Sequence, residues 1–89
     1  MQLPDDTLAD LQHRLRRAEG QVRAVQRMLD DQRDCREVLT QLSAATKALE
    51  QTGFLLVAAG MQFCLTDPEA STAEGLDLEA VQKLFLKLA

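Results

Sequence analysis

Cys35 and Cys64 are the two cysteines of an 89-residue chain, and they are its most reactive side chains. A thiol can be inert packing, a metal ligand or a redox nucleophile. Cys64 closes the apolar run Val57-Ala58-Ala59-Gly60-Met61-Gln62-Phe63-Cys64, which suits a buried thiol as well as a reactive one. Cys35 lies in polar surroundings between Arg33-Asp34 and Arg36-Glu37. A helix N-terminus and flanking cations favour the nucleophilic thiolate there, and the two acids oppose it. His13 stands alone, and no phosphate loop or catalytic triad accompanies these residues. The sequence therefore points away from an enzyme and calls for no cofactor.

The second chemical feature is charge. The net charge is −4, yet residues 11–29 hold Arg14, Arg16, Arg17, Arg23 and Arg27 against one acid, Glu19. Residues 48–82 hold six acids and no Lys or Arg. A phosphate meets the local field rather than the net charge, so an acidic domain can still present one basic face. The competing reading is a solvated helix face with i, i+4 pairs such as Glu19 with Arg23.

Three helical segments must position these groups. Over about residues 6–30, Leu8, Leu11, Leu15, Ala18, Val22, Val25 and Leu29 recur in alternating steps of three and four. That is an a/d stripe over about three heptads. Asp5, Asp6 and Thr7 are candidate N-caps, and Gly20 implies a close packing contact. Asp34-Cys35-Arg36-Glu37 has the form of a capping box and opens a second helix over about 35–65. Its stripe runs through Val38, Leu42, Ala45, Leu49, Phe54, Val57, Met61 and Cys64. Residues 65–77 read as a linker ended by Pro68 and Gly75, and a third helix follows over about 77–88 with Asp77 as its cap.

Length gives one domain, 1–89, as the prior. With three Phe and no Trp or Tyr, the core must come from Leu, Val, Ala and Met. Phe54–Phe63 is apolar on nearly every side, so it requires burial on more than one side. Two further helices from one 89-residue chain cannot easily cover it, which asks for a second subunit. No charged n-region with an apolar h-region opens the chain, and no run of about 18 apolar residues is evident. The expected setting is cytoplasmic, without membrane, where thiols are reduced.

Spacing couples the thiols to that second subunit. A continuous helix holds Cys35 and Cys64, 29 residues apart, at roughly 43 Å along its axis. A disulfide needs Cα atoms within about 7 Å. The thiols of one chain meet only if the helix breaks, at Gly53 or Gly60. Otherwise two copies packed antiparallel bring Cys35 of one beside Cys64 of the other, twice in a two-fold dimer.

Leu15-Arg16-Arg17-Ala18-Glu19-Gly20-Gln21-Val22-Arg23, then Met28, Cys35 and Val38-Leu39-Thr40-Gln41-Leu42-Ser43-Ala44, resemble the copper-sensitive operon repressor family over about Leu11–Leu65. The resemblance implies an all-α fold: a three-helix protomer, an antiparallel four-helix-bundle dimer and a dimer of dimers. It also implies a repressor that holds operator DNA until an inducer acts at an inter-subunit site. Arg14, Arg16, Arg17 and Arg23, with Lys47 from the second helix, are the phosphate contacts it suggests. Glu50 stands where some relatives are basic, so no contact is carried over there.

Copper sensors of this family use a Cys, then a His and a Cys four residues apart. The matching positions here are Cys35, Gly60 and Cys64. Glycine offers no donor, so no full metal site is expected. Nickel and cobalt sensors need several nitrogen donors, and formaldehyde sensors an N-terminal proline; this chain has one His and Gln2. Two cysteines without the His resemble the persulfide-sensing branch, the CsoR-like sulfurtransferase repressors. There, Cys35 would take sulfur from a persulfide or polysulfide, and Cys64 of the partner subunit would close a di-, tri- or tetrasulfide. The alternative inducer is Cu(I) on the same two thiolates.

Overall fold

The computed structural model describes all residues from Met1 to Ala89. It contains four helices and no strand: α1 (Asp5–Asp30), α2 (Cys35–Thr66), α3 (Pro68–Ala73) and α4 (Leu78–Leu88). The sequence reading of three helices is corrected at α3. Asp67 caps this extra turn by accepting from the Ala70 N–H at 3.3 Å. Pro68 occupies its first position, where a missing N–H costs nothing.

α1 and α2 form an antiparallel hairpin. Its turn is a Schellman motif: the Gln32 N–H donates to the Leu29 carbonyl at 3.1 Å and the Arg33 N–H to Met28 at 2.9 Å. Gln32 takes φ 53°, the left-handed region that favours glycine. The expected capping box forms only in part. Asp34 accepts from the Arg36 N–H at 3.3 Å, but Glu37 turns away to Arg33 Nε at 2.9 Å. Pro4, not an acid, precedes the first turn of α1, and Asp5 and Asp6 lie inside that turn. Their charge still opposes the helix dipole.

α2 runs unbroken through Gly53 and Gly60, so the alternative of a break there does not hold. The reason is packing by α4. A Cβ at Gly53 would lie 2.4 Å from Leu88 Cδ2, and one at Gly60 would lie 3.6 Å from Val81 Cγ2. Two glycines seven residues apart thus seat two large side chains seven residues apart on the antiparallel α4. Phe85 adds a tilted ring contact with Phe54, with centroids 5.7 Å apart. Gly20, by contrast, has no neighbour within 4 Å of a built Cβ, so the close contact expected there is absent from the protomer.

The protomer measures 54 × 26 × 14 Å. A thickness of 14 Å is little more than one helix diameter. A single layer cannot enclose a core, and only nine of 89 residues are buried. In α1 the expected stripe divides. Leu11, Ala18 and Val25 are buried, while Leu8, Leu15, Val22 and Leu29 are exposed. In α2 Ala45 and Cys64 are buried, but Leu42, Leu49, Phe54 and Met61 are exposed. Thr52, outside that stripe, is buried and donates its hydroxyl to the Ala48 carbonyl at 2.8 Å.

One further expectation is revised. α2 is long and apolar enough, by length and composition, to cross a membrane. Glu50, Gln51, Thr52 and Gln62 break up its apolar residues, so no unbroken apolar run reaches that length.

Candidate functional site

Cys35 is the first residue of α2 and is exposed. The Asp34 cap fixes the turn that presents it. Of its two neighbouring cations, Arg33 is paired with Glu37, while Arg36 has no ion pair. The local field at this thiol therefore comes chiefly from Arg36 and the helix N-terminus, with Asp34 against them.

Cys64 lies in the last turn of α2 and is buried. Its S–H donates to the Leu76 carbonyl at 2.9 Å. The path to that contact starts at Gly75. Its φ of 72° closes α3 in a second Schellman motif, where the Leu76 N–H donates to Ser71 at 2.8 Å. Leu76 is thereby held with its carbonyl on Cys64. Gly60, one turn back, faces Val81. A side chain starting at residue 60 would meet Val81 of α4 at ordinary van der Waals distance.

With α2 continuous, the two thiols of one chain stay at opposite ends of a helix of 32 residues, roughly 48 Å long. No group of three or more His, Cys, Asp or Glu side chains is close enough to hold a metal ion within the protomer. His13 is exposed on α1 and adds no donor near either cysteine.

The basic residues separate into two groups. Arg14 and Arg17 of α1 meet Lys47 of α2 along one groove, with Gln21, Ala44, Ala48 and Gln51 between them. Arg14 is held by Asp10 Oδ2 at 3.1 Å, whereas Arg17 and Lys47 have no ion pair. Gln21 Oε1 is buried there with no hydrogen-bond donor. Arg16 and Arg23 are seven residues apart, so they share a face of α1, about 100° or more away from Arg17 at 100° per residue. Arg23 lies beside the exposed Leu15, Val22 and Leu49, and its guanidinium is 3.9 Å from Glu19. The five expected contacts are thus not one surface. The sequence reading does not single out the two glutamines. Gln21 and Gln51 could have been found by asking which polar residues follow Arg14, Arg17 and Lys47 at three- and four-residue steps.

The family model described as "Metal-sensitive transcriptional repressor" matches residues 7–87. The copper-sensing transcriptional repressor RicR of Mycobacterium tuberculosis is 42% identical over 64 residues, 72% of this chain and 67% of that protein. The copper-sensing transcriptional repressor CsoR of Bacillus subtilis is 36% identical over 55 residues, 62% of this chain and 54% of that protein. No solved structure matches the chain significantly.

Proposed function

The chain belongs to the metal-sensitive transcriptional repressor family, and from that premise we propose that it represses transcription by holding operator DNA until a thiophilic inducer joins Cys35 to Cys64 of the partner subunit. The observation that carries this reading is the unbroken α2. Thiols held at its two ends serve one site only if a second copy lies antiparallel. The exposed row of Leu15, Val22, Leu42, Leu49 and Leu56 supplies an apolar face for such a copy. The assembly proposed is an antiparallel dimer built on α1 and α2, doubled into a tetramer, in the reducing cytoplasm.

Copper is the inducer that both copper-sensing relatives support. The donors here fit it in part. Cys35 and Cys64 of the partner subunit are two soft thiolates, suited to Cu(I). Gly60 offers no third ligand, and Val81 occupies the space beside it.

That one observation favours a second inducer, a persulfide. The exposed Cys35 thiolate attacks the outer sulfur of RS–SH, releasing RS⁻ and leaving Cys35–S–SH. The thiolate of Cys64 of the partner subunit then attacks the Cys35 sulfur and expels HS⁻. Overall, two thiols are oxidised to a disulfide, and the persulfide is reduced to a thiol and hydrogen sulfide.

The test uses reduced protein and duplex fragments that it selects from genomic DNA. Anisotropy is followed after Cu(I), after a persulfide donor and after buffer alone, with mass spectrometry on each product. Release with copper bound at two thiols and no covalent bridge supports the first inducer. Release with an inter-chain sulfur bridge, absent copper, supports the second. Failure to retain any DNA fragment would remove the function itself.

A further inference from the structure

The groove of Arg14, Arg17 and Lys47 does not end at Lys47. A second groove, lined by Arg36, Leu39, Thr40, Ser43, Ala44 and Lys47, shares Ala44 and Lys47 with it. Arg36, Thr40, Ser43 and Lys47 follow one another at steps of four, three and four, which keeps them on one face of α2. From Arg36 to Lys47 this face extends about 16 Å, long enough for several phosphates of one DNA strand at about 3.4 Å of axis each.

Its chemistry is that of a polyanion surface. No acid lines either groove. Arg17, Arg36 and Lys47 have no ion pair, unlike Arg14, Arg23 and Arg33, each of which has an acid four residues away. The Thr40 hydroxyl is committed to the Arg36 carbonyl at 2.8 Å, which leaves Ser43 as the free hydroxyl donor. Leu39 is the one large apolar residue, so the stripe is unlike the leucine-rich faces offered to a second copy or to lipid.

We infer that Arg36, assisted by Ser43, is a DNA-backbone contact, and that the DNA surface reaches the first turn of α2. This rests on the proposed operator-binding function and extends it. Arg36 follows Cys35 directly, so the thiol that meets the inducer and a cation that meets phosphate share one helical turn. A bond formed at Cys35 then acts on the DNA surface locally, without requiring a long path through the protein.

The test is a salt titration of binding to a labelled random-sequence duplex of about 30 base pairs, where phosphate contacts supply the affinity. Arg36→Gln is expected to make the slope of log K against log salt shallower by about 0.9 for each subunit whose Arg36 meets a phosphate. Lys87→Gln, a cation on α4 outside both grooves, is expected to leave it unchanged. Circular dichroism checks that both variants keep wild-type helicity; Arg36 is exposed, so its loss removes no core contact. A wild-type slope for Arg36→Gln, with wild-type protein still binding, overturns the inference and leaves the repressor reading standing. An equal change in Lys87→Gln also overturns it, since net charge then suffices. Absence of DNA binding by the wild-type protein, or its transfer to anionic vesicles instead, overturns both.

Discussion

Val81 of α4 stands over Gly60 of α2, with its Cγ2 3.6 Å from where a Cβ would be, and the same register puts Leu88 over Gly53. The C-terminal helix is therefore seated in the backbone of the helix that carries both thiols.

This seating predicts opposite consequences for two alanine substitutions. Alanine gains about 1 kcal/mol of helix propensity over glycine. At Gly60 the added methyl meets ordinary van der Waals space, so Gly60→Ala is expected to raise the melting temperature. At Gly53 it collides with Leu88 at 2.4 Å, so Leu88 must move and the gain is offset. Thermal melts followed by circular dichroism should rank Gly60→Ala above Gly53→Ala; the reverse order would refute the seating.

The two thiols should differ in reactivity. Cys35 is exposed, while Cys64 is buried and donates its S–H to Leu76. Stopped-flow labelling with a chromogenic disulfide should resolve a fast and a slow thiol, separated by roughly tenfold or more, with Cys35→Ser abolishing the fast phase. A single phase in the wild-type protein would contradict the placement of Cys64.

Complementation tests whether the site crosses between subunits. Cys35→Ser and Cys64→Ser chains alone should give no Cys35–Cys64 bridge after persulfide treatment. Chains mixed by unfolding and refolding should recover a bridged dimer on non-reducing gels, with one bond per dimer instead of two. Bridging within single chains would refute the continuous α2.

The groove of Arg14, Arg17 and Lys47 predicts an ionic signature in DNA binding. Arg17→Gln and Lys47→Gln, each removing an unpaired cation from the groove, should each flatten the salt dependence by about 0.9 in slope for each subunit that meets the DNA. Arg23→Gln, beside Glu19 on another face, should change it less. Equal effects at all three positions would mean that the basic residues act as diffuse charge.

An apolar face on a protein one helix thick predicts obligatory association. Val22→Glu and Leu49→Glu place charge in the exposed row beside Arg23. Each should shift sedimentation towards smaller species, because burying an unpaired carboxylate costs several kcal/mol. Unchanged sedimentation would assign the row to solvent.

Much of this molecule is legible in local chemistry. The period of the apolar residues, Asp34 before Cys35 and Asp77 before Leu78 mark the long helices to within a residue or so, because capping and helix propensity act over one turn. The 29-residue separation of the thiols follows from chain geometry once α2 is helical. The clustering of arginines in α1 is likewise visible as charge per length. Three features depended on contacts between distant segments. Which half of each apolar stripe turns inward is set by the packing of α1 on α2, since Leu11 and Leu15 are equally apolar and only the first is buried. Helical period separates the arginines of α1 into two faces, but which of these faces gains a cation from α2 is tertiary: Lys47 joins Arg14 and Arg17 and not Arg23. Gly60, which in the sequence is merely a position without an imidazole, is the seat of Val81. A glycine records the absence of a side chain, and only the folded chain supplies what fills that space.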